Sequence, residues 1–126
     1  MTTKTITDAE LEVMRLLWRE QQPMTVARIR DELLQTTSWN DSTIKTLVVR
    51  LREKGVIAHL DKYGPAQYYP LVTEEAYLLD ESESILGKLF DGSAMKMIAT
   101  LRHGGKLSDQ DISELREFFK MGGEDE

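Results

Sequence analysis

Five side chains within a nine-residue stretch, Ser42, Thr43, Lys45, Thr46 and Arg50, carry the clearest chemistry in the sequence. On a helix, Thr43, Thr46 and Arg50 fall at i, i+3 and i+7 and lie along one line. With Ser42, Lys45 and Val49 they form the face left over once the apolar side is turned inward. These residue types suit a polyanion. A guanidinium can fork onto the two acceptors of a guanine edge or clamp a phosphate, a threonine can donate to phosphate or lay its methyl on thymine, and a lysine adds a point charge. Neither Asp nor Glu occurs between residues 42 and 52, as a face presented to phosphates requires. The competing reading is a merely solvated face, which every amphipathic surface helix has. The elements around the stretch weigh between the two.

Thr7-Asp8-Ala9-Glu10 announces a first helix, because a Thr cap followed three residues later by Glu satisfies two otherwise orphan backbone donors. Leu11, Met14 and Trp18 follow at helical spacing, Val13 and Leu17 thicken the stripe, and the helix is expected to reach Glu20. Gln22-Pro23 breaks it. Thr25 caps a second helix, ending near Gln35, with Val26, Ile29 and Leu33 inward. A polar turn, Thr36 to Asn40, leads to a third helix capped by Asn40 or Asp41 and ended at Lys54-Gly55. In it, Ile44, Leu47, Val48 and Leu51 hold i, i+3, i+4 and i+7, so the candidate face lies opposite a core stripe.

After Gly55 the period becomes strand-like. Val56 to Leu60 leads through Asp61-Lys62-Tyr63-Gly64-Pro65 into Ala66 to Val72, which reads as a hairpin. Three short helices and a hairpin are the parts of a winged helix-turn-helix, with Lys62, Tyr63 and Gln67 where a wing touches the backbone or minor groove of DNA. From Thr73 the pattern is helical again: one helix to about Leu89, a second from Ala94 to about Arg102, and a third from Asp109 to Lys120. The fold class is therefore mainly α with a small β-hairpin wing. The expected domains are 1–72, a winged helix-turn-helix that binds DNA, and 73–126, a helical region.

Composition sets the outer limits. The chain has 126 residues, 40% apolar and 30% charged, as expected of a folding chain with one core and no room for a second independent one. It has no cysteine, which excludes disulfides and thiolate metal clusters. No run approaches the roughly 20 apolar residues of a membrane span, and Met1 to Asp8 lacks the apolar centre of a signal peptide, so a cytoplasmic location with no membrane partner is expected. The formal net charge of −6 is unevenly spread. Residues 1–72 hold 10 Lys+Arg against 9 Asp+Glu, and residues 73–126 hold 6 against 13, which permits polyanion binding by the first part. No nucleophile with a base, carboxylate pair, metal constellation or phosphate loop is apparent, and no enzymatic activity is expected. His59 and His103 stand in different regions, so neither a metal site nor a cofactor is expected.

The chain resembles the BlaI/MecI/CopY penicillinase-repressor family. The likeness rests on Thr7-Asp8-Ala9-Glu10-Leu11-Glu12-Val13-Met14 with Leu17-Trp18, on Ser42-Thr43-Ile44-Lys45-Thr46-Leu47-Val48-Val49-Arg50-Leu51, on Lys54-Gly55-Val56-Ile57, on Tyr68-Tyr69-Pro70, and on Leu89-Phe90-Asp91-Gly92-Ser93. It implies a homodimeric transcriptional repressor on a palindromic operator with TACA and TGTA half-sites. Ser42, Thr43, Thr46 and Arg50 match the family's base- and phosphate-contacting positions, and the wing matches around Lys62 to Gln67. The family's C-terminal helices dimerise, which would fall here to Tyr77, Leu78, Ile85, Leu86, Leu89, Phe90, Met95, Ile98, Leu101, Leu107, Ile112, Leu115 and Phe119. Apolar stripes with no second core to join agree with that. The resemblance also implies a sensor or protease system as a partner. The family's cleavage region falls near Thr100 and Leu101, where the Asn-Phe pair cut in the β-lactamase branch is absent, and the copper-responsive branch's cysteine cluster has no counterpart. Two other readings remain open at this point: a winged helix that binds protein, and an effector-gated regulator with a pocket beneath the fourth helix.

Overall fold

A single apolar core organises the first part of the chain, built where three helical stripes meet a small sheet. The computed structural model describes residues 5–61 and 64–124. Its elements run α1 (Asp8–Glu20), β1 (Met24–Thr25), α2 (Val26–Thr36), α3 (Asp41–Glu53), β2 (Ile57–Leu60), β3 (Gln67–Pro70), α4 (Glu74–Leu89), α5 (Ala94–His103) and α6 (Asp109–Glu124). Two compact units result, one up to Asp80 and one from Glu81 on, whereas the sequence pattern alone suggests a boundary at 72/73. The fold is a winged helix-turn-helix followed by helices.

Each of the first three helices starts on the side chain its sequence offers. Thr7 accepts from the Glu10 amide at 3.1 Å while the Glu10 carboxylate accepts from the Thr7 amide at 2.9 Å, the full reciprocal capping pair. Thr25 caps α2 through the Arg28 amide, and Asn40 caps α3 through the Thr43 amide at 2.9 Å. Gln21, in the left-handed region at φ 57°, ends α1 one residue before the expected break. At the end of α3, Gly55 takes φ 79°. Its amide donates to Arg52 O, and the Val56 amide donates to Leu51 O at 3.2 Å, so these two carbonyls of the last turn are satisfied and Val56 is turned into the core.

The core joins Val13, Met14 and Leu17 of α1, Ile29 and Leu33 of α2, and Ile44, Leu47, Val48 and Leu51 of α3 to Met24, Val56 and Ile57. The sheet has three strands in the order β1-β3-β2, all antiparallel, rather than only the expected two. Its extra member is Met24–Thr25, paired with Tyr68 and Gln67. Two residues are too few to show a strand period, and only the fold brings them to the open edge of β3.

The start of α4 belongs to this first unit. The Trp18 indole donates to Val72 O at 2.8 Å, and its ring lies 5.6 Å from that of Tyr77. Tyr77, expected from the sequence at a subunit interface, is instead buried within its own chain, because its ring closes over Trp18. In the second unit α5 and α6 begin at Ala94 and Asp109 as expected, and the hydroxyls of Ser93 and Ser108 cap them by accepting from Lys96 N and Asp111 N. Helix α6 runs on to Glu124, four residues beyond the expected end at Lys120.

Glu10 is more than a cap. Its side chain is 1% exposed, and it accepts from the ammonium of Lys54, which also donates to Thr5 O at 2.8 Å. The start of α1 is thus tied to the end of α3. Burial acts to raise the carboxyl's pKa, but the Lys54 hydrogen bond, the Thr7 amide, the Lys54 charge and the Thr7 hydroxyl together hold it below the ordinary value. A lowered folded-state value means stability that is present above the unfolded value and lost as pH falls through the folded one. Glu10→Gln, which keeps a capping acceptor but strands Lys54, should cost about 1–3 kcal/mol at neutral pH. In urea unfolding followed against pH, the gap between wild type and Glu10→Gln should close as the medium turns acidic; a gap constant with pH would mean that the charge of Glu10 contributes nothing.

Candidate nucleic-acid interface

Burial of the α3 stripe decides which side chains face out. Ile44 and Leu51 are fully buried and Leu47 and Val48 nearly so, which leaves Ser42, Lys45, Thr46, Val49 and Arg50 exposed and Thr43 half-buried. The Asn40 cap holds the Thr43 amide, so the helix N-terminus is ordered where Ser42 and Thr43 project. Five sequence-picked residues, Ser42, Thr43, Lys45, Thr46 and Arg50, are therefore brought together on one surface helix.

The electrostatics of that surface differ from those of its neighbours. Arg15 pairs with Glu12 at 3.1 Å, Arg19 with Glu32 at 3.4 Å, Arg28 with Glu20 at 2.8 Å and Arg30 with Asp41 at 3.7 Å. On α3 between residues 42 and 52 the cations are Lys45, Arg50 and Arg52, with no acid among them. Among the described residues none of these three is engaged in an ion pair, whereas the arginines of α1 and α2 are. Arg52 was not singled out from the sequence, because it falls off the Thr43-Thr46-Arg50 line. Its exposure beside Arg50 becomes visible only once the end of α3 is placed.

The wing is the β2–β3 hairpin, with Leu60 opposite Gln67 and His59 opposite Tyr68. Gln67 is exposed at the end of the hairpin where the chain turns. Lys62 and Tyr63, expected at the wing tip, lie outside the described residues. His59 is half-buried, with its ring 5.6 Å from that of Tyr68, so it packs within the wing.

Elsewhere, an open cleft of about 550 Å³ lies between the end of α1 and the connection from β3 to α4. Trp18, Gln21, Tyr69, Leu71 and Glu74 are among its walls, and no residue of α3 contributes to it. In the second unit Leu86, Phe90, Ile98, Leu101, Leu107, Ile112 and Leu115 are half-buried, while Ile85, Leu89, Met95 and Phe119 are exposed; Leu78, at the end of the first unit, is exposed too. Thr100 and Leu101 stand inside α5, and the Thr100 hydroxyl donates to Lys96 O at 2.8 Å. Among the described residues no helix is long and apolar enough to cross a membrane.

The chain is similar to known proteins over most of its length. The penicillinase repressor of Bacillus licheniformis is 32% identical over 115 residues, 91% of this chain and 89% of its own. The methicillin resistance regulatory protein MecI of Staphylococcus aureus strain N315 is 31% identical over 114 residues, 90% of this chain and 92% of its own. Among solved structures, the DNA binding domain of the repressor BlaI in solution matches with a TM-score of 0.54 at 33% identity, covering 60% of this chain and 92% of that one. The monomeric form of Bacillus licheniformis BlaI in complex with the blaP half-operator matches to the same degree, with a TM-score of 0.54. The penicillinase repressor family matches residues 6–121, from the first core residue into α6, and the chain belongs to that family.

Proposed function

We propose that this chain, a DNA-binding repressor by family and not an enzyme, acts as a homodimer on an inverted-repeat operator with TACA- and TGTA-like halves. The observation that carries the DNA reading is the unpaired cationic face of α3, where Lys45, Arg50 and Arg52 project from a helix whose other side is locked in the core. Ser42, Thr43 and Thr46 supply short donors beside them, and the wing, on which Gln67 is exposed and to whose sequence Lys62 and Tyr63 belong, would touch the backbone or minor groove. The BlaI half-operator complex supports the assignment, since that protein matches 60% of this chain at 33% identity.

The homodimer reading rests on the second unit. Every buried apolar side chain among the described residues lies at or before Tyr77, while Leu89 is 63% and Phe119 63% exposed. Helices of this length gain little stability alone and need an apolar partner. A second copy supplies it with the same surface. Joining two half-site contacts then raises the effective concentration of the second, which offsets the small number of phosphate contacts each winged helix makes.

Selection of bound duplexes from a random pool by the full chain, read against salt, tests the DNA reading. An inverted repeat with TACA-like halves is the expected product; a chain that enriches nothing at low salt would overturn it. On the recovered duplex, Arg50→Ala should cost about 1–3 kcal/mol and relax one base position, while Lys45→Ala should lower the salt slope by about one. No change in either would mean that α3 is not the reading helix.

Light scattering after gel filtration tests the assembly. The wild type should run at twice the chain mass, and Leu89→Glu with Phe119→Glu should shift it to the monomer and weaken operator binding at least tenfold. A wild type that stays monomeric at micromolar concentration would sink the homodimer and leave the α3 assignment standing.

A further inference from the structure

Val49 is the exposed apolar side chain of α3. Among the described residues of that helix, Ile44, Leu47, Val48 and Leu51 are all buried, whereas Val49 is 44% exposed. A β-branched residue is a poorer helix former than the Lys, Arg or Gln that could stand there, and it has no polar group to offer water. Packing within the unit leaves nearly half of this valine uncovered.

Its surroundings narrow what it faces. Lys45, Thr46, Val49, Arg50 and Glu53 line a shallow, open hollow of about 350 Å³. Lys45 and Glu53 stand four residues before and after Val49, so Val49 occupies the middle of that wall. The Glu53 carboxylate would repel a phosphate, which argues that the hollow meets base edges and not the backbone. Arg50 and Lys45 beside it supply the charge that docks the helix. On the major-groove edges of the four bases, the one apolar group is the C5 methyl of thymine. Guanine, adenine and cytosine present acceptors or donors there, and a valine would strip these of water without replacing the hydrogen bond.

We propose that Val49 is a specificity-determining residue whose methyls receive the C5 methyl of one thymine in each half-site. This rests on the DNA reading above and adds the base at one position. It differs from the roles given to Thr43, Thr46 and Arg50, since Val49 discriminates by apolar burial alone.

Deoxyuridine, which pairs like thymidine and lacks the methyl, isolates the contact. In the duplex that the full chain selects, each thymine is replaced by deoxyuridine, symmetrically in both halves, and binding is measured for wild type and Val49→Ala. One position should weaken wild-type binding about fourfold per half-site, or about 15-fold for both, as expected for one buried methyl-sized group. For Val49→Ala the same replacement should cost less than twofold. Alanine at this exposed site favours the helix, so the variant should fold, and an unchanged unfolding midpoint checks that. Selection of a duplex with no uracil-sensitive position, or with equal sensitivity in Val49→Ala, overturns the Val49 assignment and leaves the DNA reading intact. Failure to select any duplex overturns both.

Discussion

The stripe Ile44, Leu47, Val48 and Leu51 allows α3 a single orientation, and the rest of the first unit depends on it. Turning the helix by half a turn would expose four buried side chains at a cost of about 6–12 kcal/mol, as much as a small domain's whole stability. The direction of the opposite face is therefore fixed as firmly as the fold itself. Both ends of the helix are secured by other means. Asn40 caps one, and at the other Gly55 closes the last turn while Lys54 reaches the buried Glu10 of α1. A face held in this way can meet a rigid duplex without first paying the entropy of ordering itself.

Charge placement follows from the same arrangement. The ion pairs of Arg15, Arg19 and Arg28 are between partly or largely exposed groups, and such pairs contribute little stability. Their effect is to neutralise the cations of α1 and α2, so that positive potential is left on α3. Exposed charges more than about 8 Å apart are largely screened at physiological salt, so a net charge of −6 on the whole chain is compatible with a locally cationic surface.

Most of this was legible in the sequence, for identifiable reasons. Helix starts depend on one side chain meeting one amide three residues on, and Thr7, Thr25, Asn40, Ser93 and Ser108 all cap as their positions suggest. The α3 stripe and its polar complement follow from spacing alone. What local pattern could not give was long-range. Glu10 reads as half of a capping pair, and its burial against Lys54 appears only when two helix ends 44 residues apart in sequence are brought together. Strand β1 has two residues and exists because β3 has an edge to offer. Tyr77 sits on an apolar helical stripe like its neighbours, and only the position of Trp18 decides that its ring is used within the chain.

The two units differ in kind, and that difference bears on regulation. The first closes its own core, whereas the second has no buried side chain among its described residues, although α5 and α6 are well capped and amphipathic. Capping stabilises a helix end by about 1 kcal/mol, which does not offset the entropy of ordering the helix it begins. Under the proposed homodimer, order in the second unit would draw on burial against the second copy. Under the proposed assembly, folding of the second unit, association and operator binding form one linked equilibrium, and the affinity of the first unit depends on it without any change in α3. An inducing signal would not need to reach the DNA-reading face at all. Anything that disfavours the paired second units would return the winged helix to the weaker binding of a single half-site.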